Sequence, residues 1–238
     1  MEKILRDSVD EEQYFEELKE LSKEGQRELN PLLPFIISGG KNTERYYFEH
    51  ISKITKYKFR IEPEYFGAEN QYANIFPEII KAIQSKNEGA TIFCVFDLDD
   101  IRKKGKTELE KFKRFCGEYV HNDSVIICHS MPSIEYWFLL HFDNFTELFK
   151  SCGPKSKLQR ILSDYMKSFF PKTDKKLCNI LKDETYVKNS SWVEKLCTVG
   201  NLDRAITSAE ENIKNAIANN DLDNQSYTYV YRIFKEYR

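Results

Sequence analysis

The chain has 238 residues, 14% of them aromatic and 31% charged, with a formal net charge of −2. That is enough for one large domain with a helical extension, and the balance places the chain among soluble globular proteins. No apolar run approaches the roughly 18–20 residues that cross a bilayer, and the opening M-E-K-I-L-R-D lacks a signal-peptide core, so a cytoplasmic protein without membrane attachment is expected.

Residues 10–28 read as a charged helix with a thin apolar stripe at Tyr14, Phe15, Leu18 and Leu21, broken by Pro31 and Pro34. A strand at Phe35-Ile36-Ile37 follows, then a turn at Gly39-Gly40 and a helix opened by Thr43 that runs through Phe48 and Ile51. Residues 58–66 alternate and predict an exposed or edge strand, since Pro63 cannot donate to a ladder. A helix near 73–85 carries Ile75, Ile79, Ile80 and Ile83. Next comes the most informative stretch, Thr91–Asp100 (T-I-F-C-V-F-D-L-D-D), a buried strand over 91–97 running straight into Asp97, Asp99 and Asp100. A helix near 106–120 leads to a strand at Ser124–Cys128. From Pro132 onward only helices are expected, near 132–142, 155–168, 174–182, 202–219 and 226–237. The alternation of strand and helix predicts an α/β fold, a mainly parallel sheet flanked by helices with a C-terminal helical region. The expected division is an extension over 1–30, a core over 31–142 and a helical region over 143–238.

Ligands of open α/β sheets collect beyond the carboxyl ends of the strands, and three clusters fall there. The first is S-G-G-K-N-T-E (Ser38–Glu44), a glycine turn leading to a helix start, with Glu44 in the first turn. It matches no phosphate-loop spacing. The second is Asp97-Leu98-Asp99-Asp100. Continued strand alternation would turn Asp97 and Asp99 to one side, roughly 6.5 Å apart. Carboxylates that close repel unless a cation lies between them, and their hard oxygens suit Mg²⁺ or Mn²⁺. The competing explanation is a solvated loop whose acids cap the next helix. The third is H-S-M-P-S-I-E-Y-W-F-L-L-H-F (His129–Phe142), with Ser130 as a helix cap, Pro132 in the first turn and Glu135 near the ligand end. Glu135 is either part of the site or a helix-dipole acid. His141 is expected to be a core or surface histidine rather than a ligand.

Six cysteines show no C-x-x-C pair and no zinc-like histidine spacing, so they are read as reduced, small apolar residues. Between Lys150 and Lys188 ten Lys/Arg face four acids, a local charge of +6, and Arg102, Lys103, Lys104 and Lys106 follow the acidic strand end. Both are candidate phosphate tracks or plain solvated helix faces. Lys167, in D-Y-M-K, is one candidate phosphate contact.

The order strand–G-x-x-T-E, strand–D-x-D, strand–S-x-P-x-x-E-x-W-x-L-L-H-F, closed by N-Q-S-Y-T-Y-V-Y-R-I-F (Asn224–Phe234), resembles the RloB-like family, which includes AbiLii-type abortive-infection proteins. The resemblance spans Phe35 to Tyr237. It implies a Toprim-like domain, the metal-dependent α/β fold of topoisomerases, primases and OLD-type nucleases. It also implies a place in anti-phage defence or restriction loci, often beside an ATPase. Gly39 stands where the family has a Glu that serves as metal ligand or general base, while Glu44, Asp97, Asp99 and Glu135 match.

The function expected from the resemblance is a Mg²⁺- or Mn²⁺-dependent nuclease acting on RNA, tRNA included, or on DNA. The ion would be held by Asp97, Asp99 and Glu44, with Glu135 completing the catalytic set and Arg102, Lys103, Lys104 and Lys167 along the nucleic acid. With Gly39 in place of the acid, the pocket would hold one ion rather than two, or bind phosphate without cutting. The alternative is a degenerate module that binds nucleic acid or an ATPase partner. A homo-oligomer is left open.

Overall fold

Apolar runs of β-branched and aromatic residues build the centre of the molecule. In β1 (Phe35–Ser38) and β3 (Ile92–Asp97) every residue except Asp97 is buried, as expected for strands covered on both faces. The structure, a computed structural model, describes residues 33–40, 42–62, 75–142, 155–170, 172–198, 200–220, 222 and 225–237. The helix expected over 10–28, residues 63–66 of the edge strand expected over 58–66, and Lys150, Cys152 and Asn224 lie outside these residues.

Between β1 and β3 run α1 (Thr43–Ile54), β2 (Arg60–Glu62) and α2 (Ile75–Lys86). After β3 come α3 (Leu98–Lys103), α4 (Lys106–Tyr119) and β4 (Val125–Met131). The rest comprises α5 (Glu135–Leu139), α6 (Lys155–Met166), α7 (Leu177–Ile180), α8 (Glu184–Val187), α9 (Ser191–Leu196), α10 (Asn201–Ala218), β5 (Tyr227–Thr228) and α11 (Tyr231–Lys235). The sheet order is β2-β1-β3-β4-β5. The first four strands are parallel and β5 is antiparallel to β4. The fold is therefore α/β with a mostly parallel sheet, and the expected edge strand is β2.

Strand alternation sorts the core into two layers. Ile36, Phe93, Val95, Ile126 and Cys128 face α1, α5, α6, α9 and α11. Phe35, Ile37, Ile92, Cys94, Phe96 and Val125 face α2, α3 and α4. The first layer is centred on Trp137, fully buried on α5, whose ring stacks on Phe234 at 5.5 Å and whose Nε1 donates to the Tyr47 hydroxyl at 2.7 Å.

Several expectations are corrected. The region after Pro132 does contain a strand: Thr228 and Tyr227 pair with Ser130 and Met131, so the helix expected over 226–237 shrinks to α11. Ser130 does not cap a helix. It lies in β4, and its hydroxyl bonds to that of Thr228 at 2.7 Å. The helix expected over 174–182 is only one turn long. Asp183 ends that region by capping α8 through the Thr185 N–H at 2.9 Å and pairing with Lys175 at 2.6 Å.

His141 is a core histidine. It is buried against the edges of Trp137 and Tyr47, and its Nδ1 donates to the Trp137 carbonyl at 3.0 Å. Burial, with the Arg204 charge adding to it, lowers its pKa to about 4. His129 is depressed to about 4 as well, by burial and then by Arg102 and Arg232. The unfolded chain takes up protons near pH 6.5 that the folded chain refuses until about pH 4, so stability is full above the unfolded value and falls across that window. Urea midpoints should drop between pH 7 and pH 5, as the unfolding free energy falls by up to about 1.4 kcal/mol per pH unit for each histidine. Equal midpoints at both pH values would contradict the burial of neutral rings.

Candidate active site at the carboxyl edge of the sheet

The parallel strands bring three acid-bearing segments to one edge. Ser38 pairs with Val95, and Asp97 with Ser130. The Gly39 N–H then donates to the Val95 carbonyl at 3.1 Å, carrying the turn after β1 to within one residue pair of the Asp97 position. Neighbouring strands lie about 4.8 Å apart, so the ends of β1, β3 and β4 share a small area.

Glu44 occupies the first turn of α1 and is 8% exposed. Its carboxylate fills the space a side chain at residue 40 would take: a Cβ on Gly40 would stand 1.5 Å from Glu44 Oε2 and 2.0 Å from Cδ. Gly40 is thus needed for close approach, not for a left-handed backbone. Thr43 does not cap the helix. Its hydroxyl donates to the Leu181 carbonyl at 2.8 Å.

Asp97 is the last residue of β3, on the face shared by Phe93 and Val95, towards the layer that holds α1 and α5. Its Oδ1 accepts the Ile134 N–H at 2.8 Å. The Asp99 N–H donates to the Pro132 carbonyl at 3.0 Å. These bonds lace the end of β3 to the turn after β4. Glu135 opens α5 and is 6% exposed. Its Oε1 accepts from Gln159 Nε2 at 2.9 Å and its Oε2 from the Ser133 hydroxyl. Gln159 on α6 carried no signal in the sequence.

Asp99 does not continue the strand alternation. The chain turns into α3 at Leu98, because Leu98 and Ile101 bury in the opposite layer. Asp99 there pairs with Lys103 one turn on, at 2.5 Å. Glu44, Asp97 and Glu135 therefore share an edge and a face, whereas Asp99 sits at the start of a helix packed on the other layer. Of the basic candidates, Lys103 is paired with Asp99 and Lys104 is exposed. The Arg102 Nε is out of solvent and its charge acts on His129. Lys167 is exposed just beyond α6.

Among the described residues no group of three or more His, Cys, Asp or Glu is gathered closely enough to cage a metal ion. Mg²⁺ does not require such a cage. It binds through one or two carboxylates and takes its remaining ligands from water and phosphate. The acids at this edge offer carboxylate oxygens, while the imidazoles of the third segment, His129 and His141, are bonded to Tyr227 and the Trp137 carbonyl. The carboxylates fit a hard, partly hydrated cation and do not fit a four-ligand zinc site.

A family model described as "RloB-like protein" matches residues 35–236. No curated protein matches the chain, and no solved structure does. No described helix is long and apolar enough to cross a membrane.

Proposed function

The chain belongs to the RloB-like family, and from that premise we propose that it is a metal-dependent phosphodiesterase of Toprim type, cutting RNA (tRNA included) or DNA in anti-phage defence. The observation that carries this reading is the placement of Glu44, Asp97 and Glu135 at the ends of successive sheet segments, on one face of one edge. Asp97 and Glu44 are the residues that would hold Mg²⁺ or Mn²⁺. Asp99, at the start of α3 and paired with Lys103, is not among the ion's direct ligands in this reading. When bound, the ion would polarise a phosphodiester and lower the pKa of its water. Glu135, held by Ser133 and Gln159, orders the turn that carries the Ile134 N–H and so fixes the Asp97 carboxylate. An ATPase partner, which the family resemblance implies, would act as its regulator.

A second reading has its own support. Gly39 offers no side-chain oxygen where the family has an acid, and both Glu135 oxygens are engaged within the protein. On those grounds the chain would bind nucleic acid or its partner without cutting.

End-labelled RNA and DNA incubated with Mg²⁺ or Mn²⁺ separate the two. Cleavage that needs metal and falls about a hundredfold or more in Asp97→Asn and Glu44→Gln, a loss of about 2.7 kcal/mol of transition-state stabilisation, is the expected result. In Asp97→Asn the side-chain amide oxygen still accepts the Ile134 N–H, so the fold of that variant should survive. Binding without cleavage, with a gain of cutting in Gly39→Glu, would favour the second reading. Unchanged cleavage in Asp97→Asn would mean the site lies elsewhere.

A further inference from the structure

We propose that Lys182, on the turn between α7 and α8, contacts the phosphate backbone of the nucleic acid beside Glu44. This inference rests on the nucleic-acid reading above and adds a residue to it.

The turn and the α8 helix that follows it are tied along α1 at four points, two on each. The Asn42 side-chain amide donates to the Lys182 carbonyl, and the Thr43 hydroxyl to the Leu181 carbonyl. Tyr46 donates to Glu184 at 2.7 Å, and His50 bonds the Val187 carbonyl at 2.8 Å. Asn42 and Thr43 immediately precede Glu44, so the backbone of Lys182 is held next to the first turn that carries this carboxylate.

Charge bookkeeping then singles out Lys182. Residues 172–188 contain five lysines, Lys188 included, and three acids. Asp183 is already paired with Lys175, and Glu184 with Lys188. Lys172, Lys176 and Lys182 are exposed and make no ion pair among the described residues. Of these, Lys182 is the one whose own carbonyl is bonded to the α1 start. Lys103, the basic candidate nearest to Asp97 in sequence after Arg102, has its charge offset by Asp99 and Asp100. A polyanion approaching the acidic edge needs an uncommitted cation close by, both to steer it and to offset carboxylate–phosphate repulsion.

The test is fluorescence anisotropy of the full chain with a labelled RNA of about 20 nucleotides, roughly the span of two helical turns, and its DNA counterpart in EDTA, over a salt series. Cleavage plays no part in this readout. Lys182 takes part in anchoring the turn through its backbone carbonyl, not its side chain, so Lys182→Ala should melt like the wild type. We expect its affinity to fall roughly threefold to tenfold and its salt slope to lose about 0.7–1, with a larger loss in Lys182→Glu. Lys86→Ala, in a helix that leads to the amino end of β3, should bind like the wild type. Unchanged affinity and slope in Lys182→Glu would overturn the assignment while leaving nucleic-acid binding intact. A wild type that binds neither probe would overturn it together with the reading on which it rests.

Discussion

If the protein cuts as proposed, Gly40→Ala should lower its metal-dependent cleavage by about a hundredfold, while lowering stability by no more than about 1 kcal/mol. The added Cβ meets Glu44 Oε2 at 1.5 Å, a separation no pair of non-bonded atoms tolerates. Overpacking in a rigid core costs about 1–3 kcal/mol. Here the obstructing atoms are the far end of a flexible side chain, which can rotate away at the low end of that range. The carboxylate leaves its place when it does so, and a shift of about 1 Å in a positioned group costs on the order of a hundredfold in rate. A check independent of activity is the double variant. In a Glu44→Ala background Gly40→Ala should cost nothing measurable, because the clashing atoms are gone. Equal destabilisation in both backgrounds, read from urea midpoints, would show that the glycine serves the backbone instead.

Trp137→Ala carries the largest expected loss of stability, about 3–5 kcal/mol, within reach of the whole stability of a marginal domain. The indole is fully buried, stacks on Phe234 of α11, and meets the edge of His141. Its removal opens a cavity where α1, α5 and α11 meet and leaves the buried Tyr47 hydroxyl without its donor. Trp137→Phe keeps most of the apolar contact but not the N–H, and should lose about half as much. Chemical denaturation followed by circular dichroism measures both. A Trp137→Ala loss under about 1 kcal/mol, far below the usual cost of such a truncation, would mean that α5 does not hold this core together.

Much of this architecture was legible because burial on both faces leaves a plain mark. The apolar run Ile92–Phe96 ending in Asp97 announces a central strand and its ligand end at once. The glycine turn and Glu44 could be placed for a similar reason, since a strand, a tight turn and a helix start leave the first acid little freedom. What failed was contact across distance. Asp99 looked like a partner of Asp97 because the spacing continues the strand period. It is Leu98 and Ile101 burying in the opposite layer that break that period. Gln159 reaches Glu135 from a helix 24 residues away, and nothing near either residue signals it. β5 is two residues long, too short to display alternation, and it is defined only by its pairing with Ser130 and Met131. The meeting of Lys182 with the start of α1 joins segments 140 residues apart and likewise leaves no local trace.

The central claim is that the carboxylates at the ends of β1 and β3, Glu44 and Asp97, receive a divalent cation. An anomalous difference map from crystals of the protein soaked in Mn²⁺ tests it most directly. The account predicts a peak about 2.1 Å from oxygens of Asp97 and Glu44, on the α1–α5 face of the sheet. A peak confined to Asp99 and Asp100 on the outer side of α3, or no peak near Asp97 at millimolar Mn²⁺ with nucleic acid bound, would contradict it.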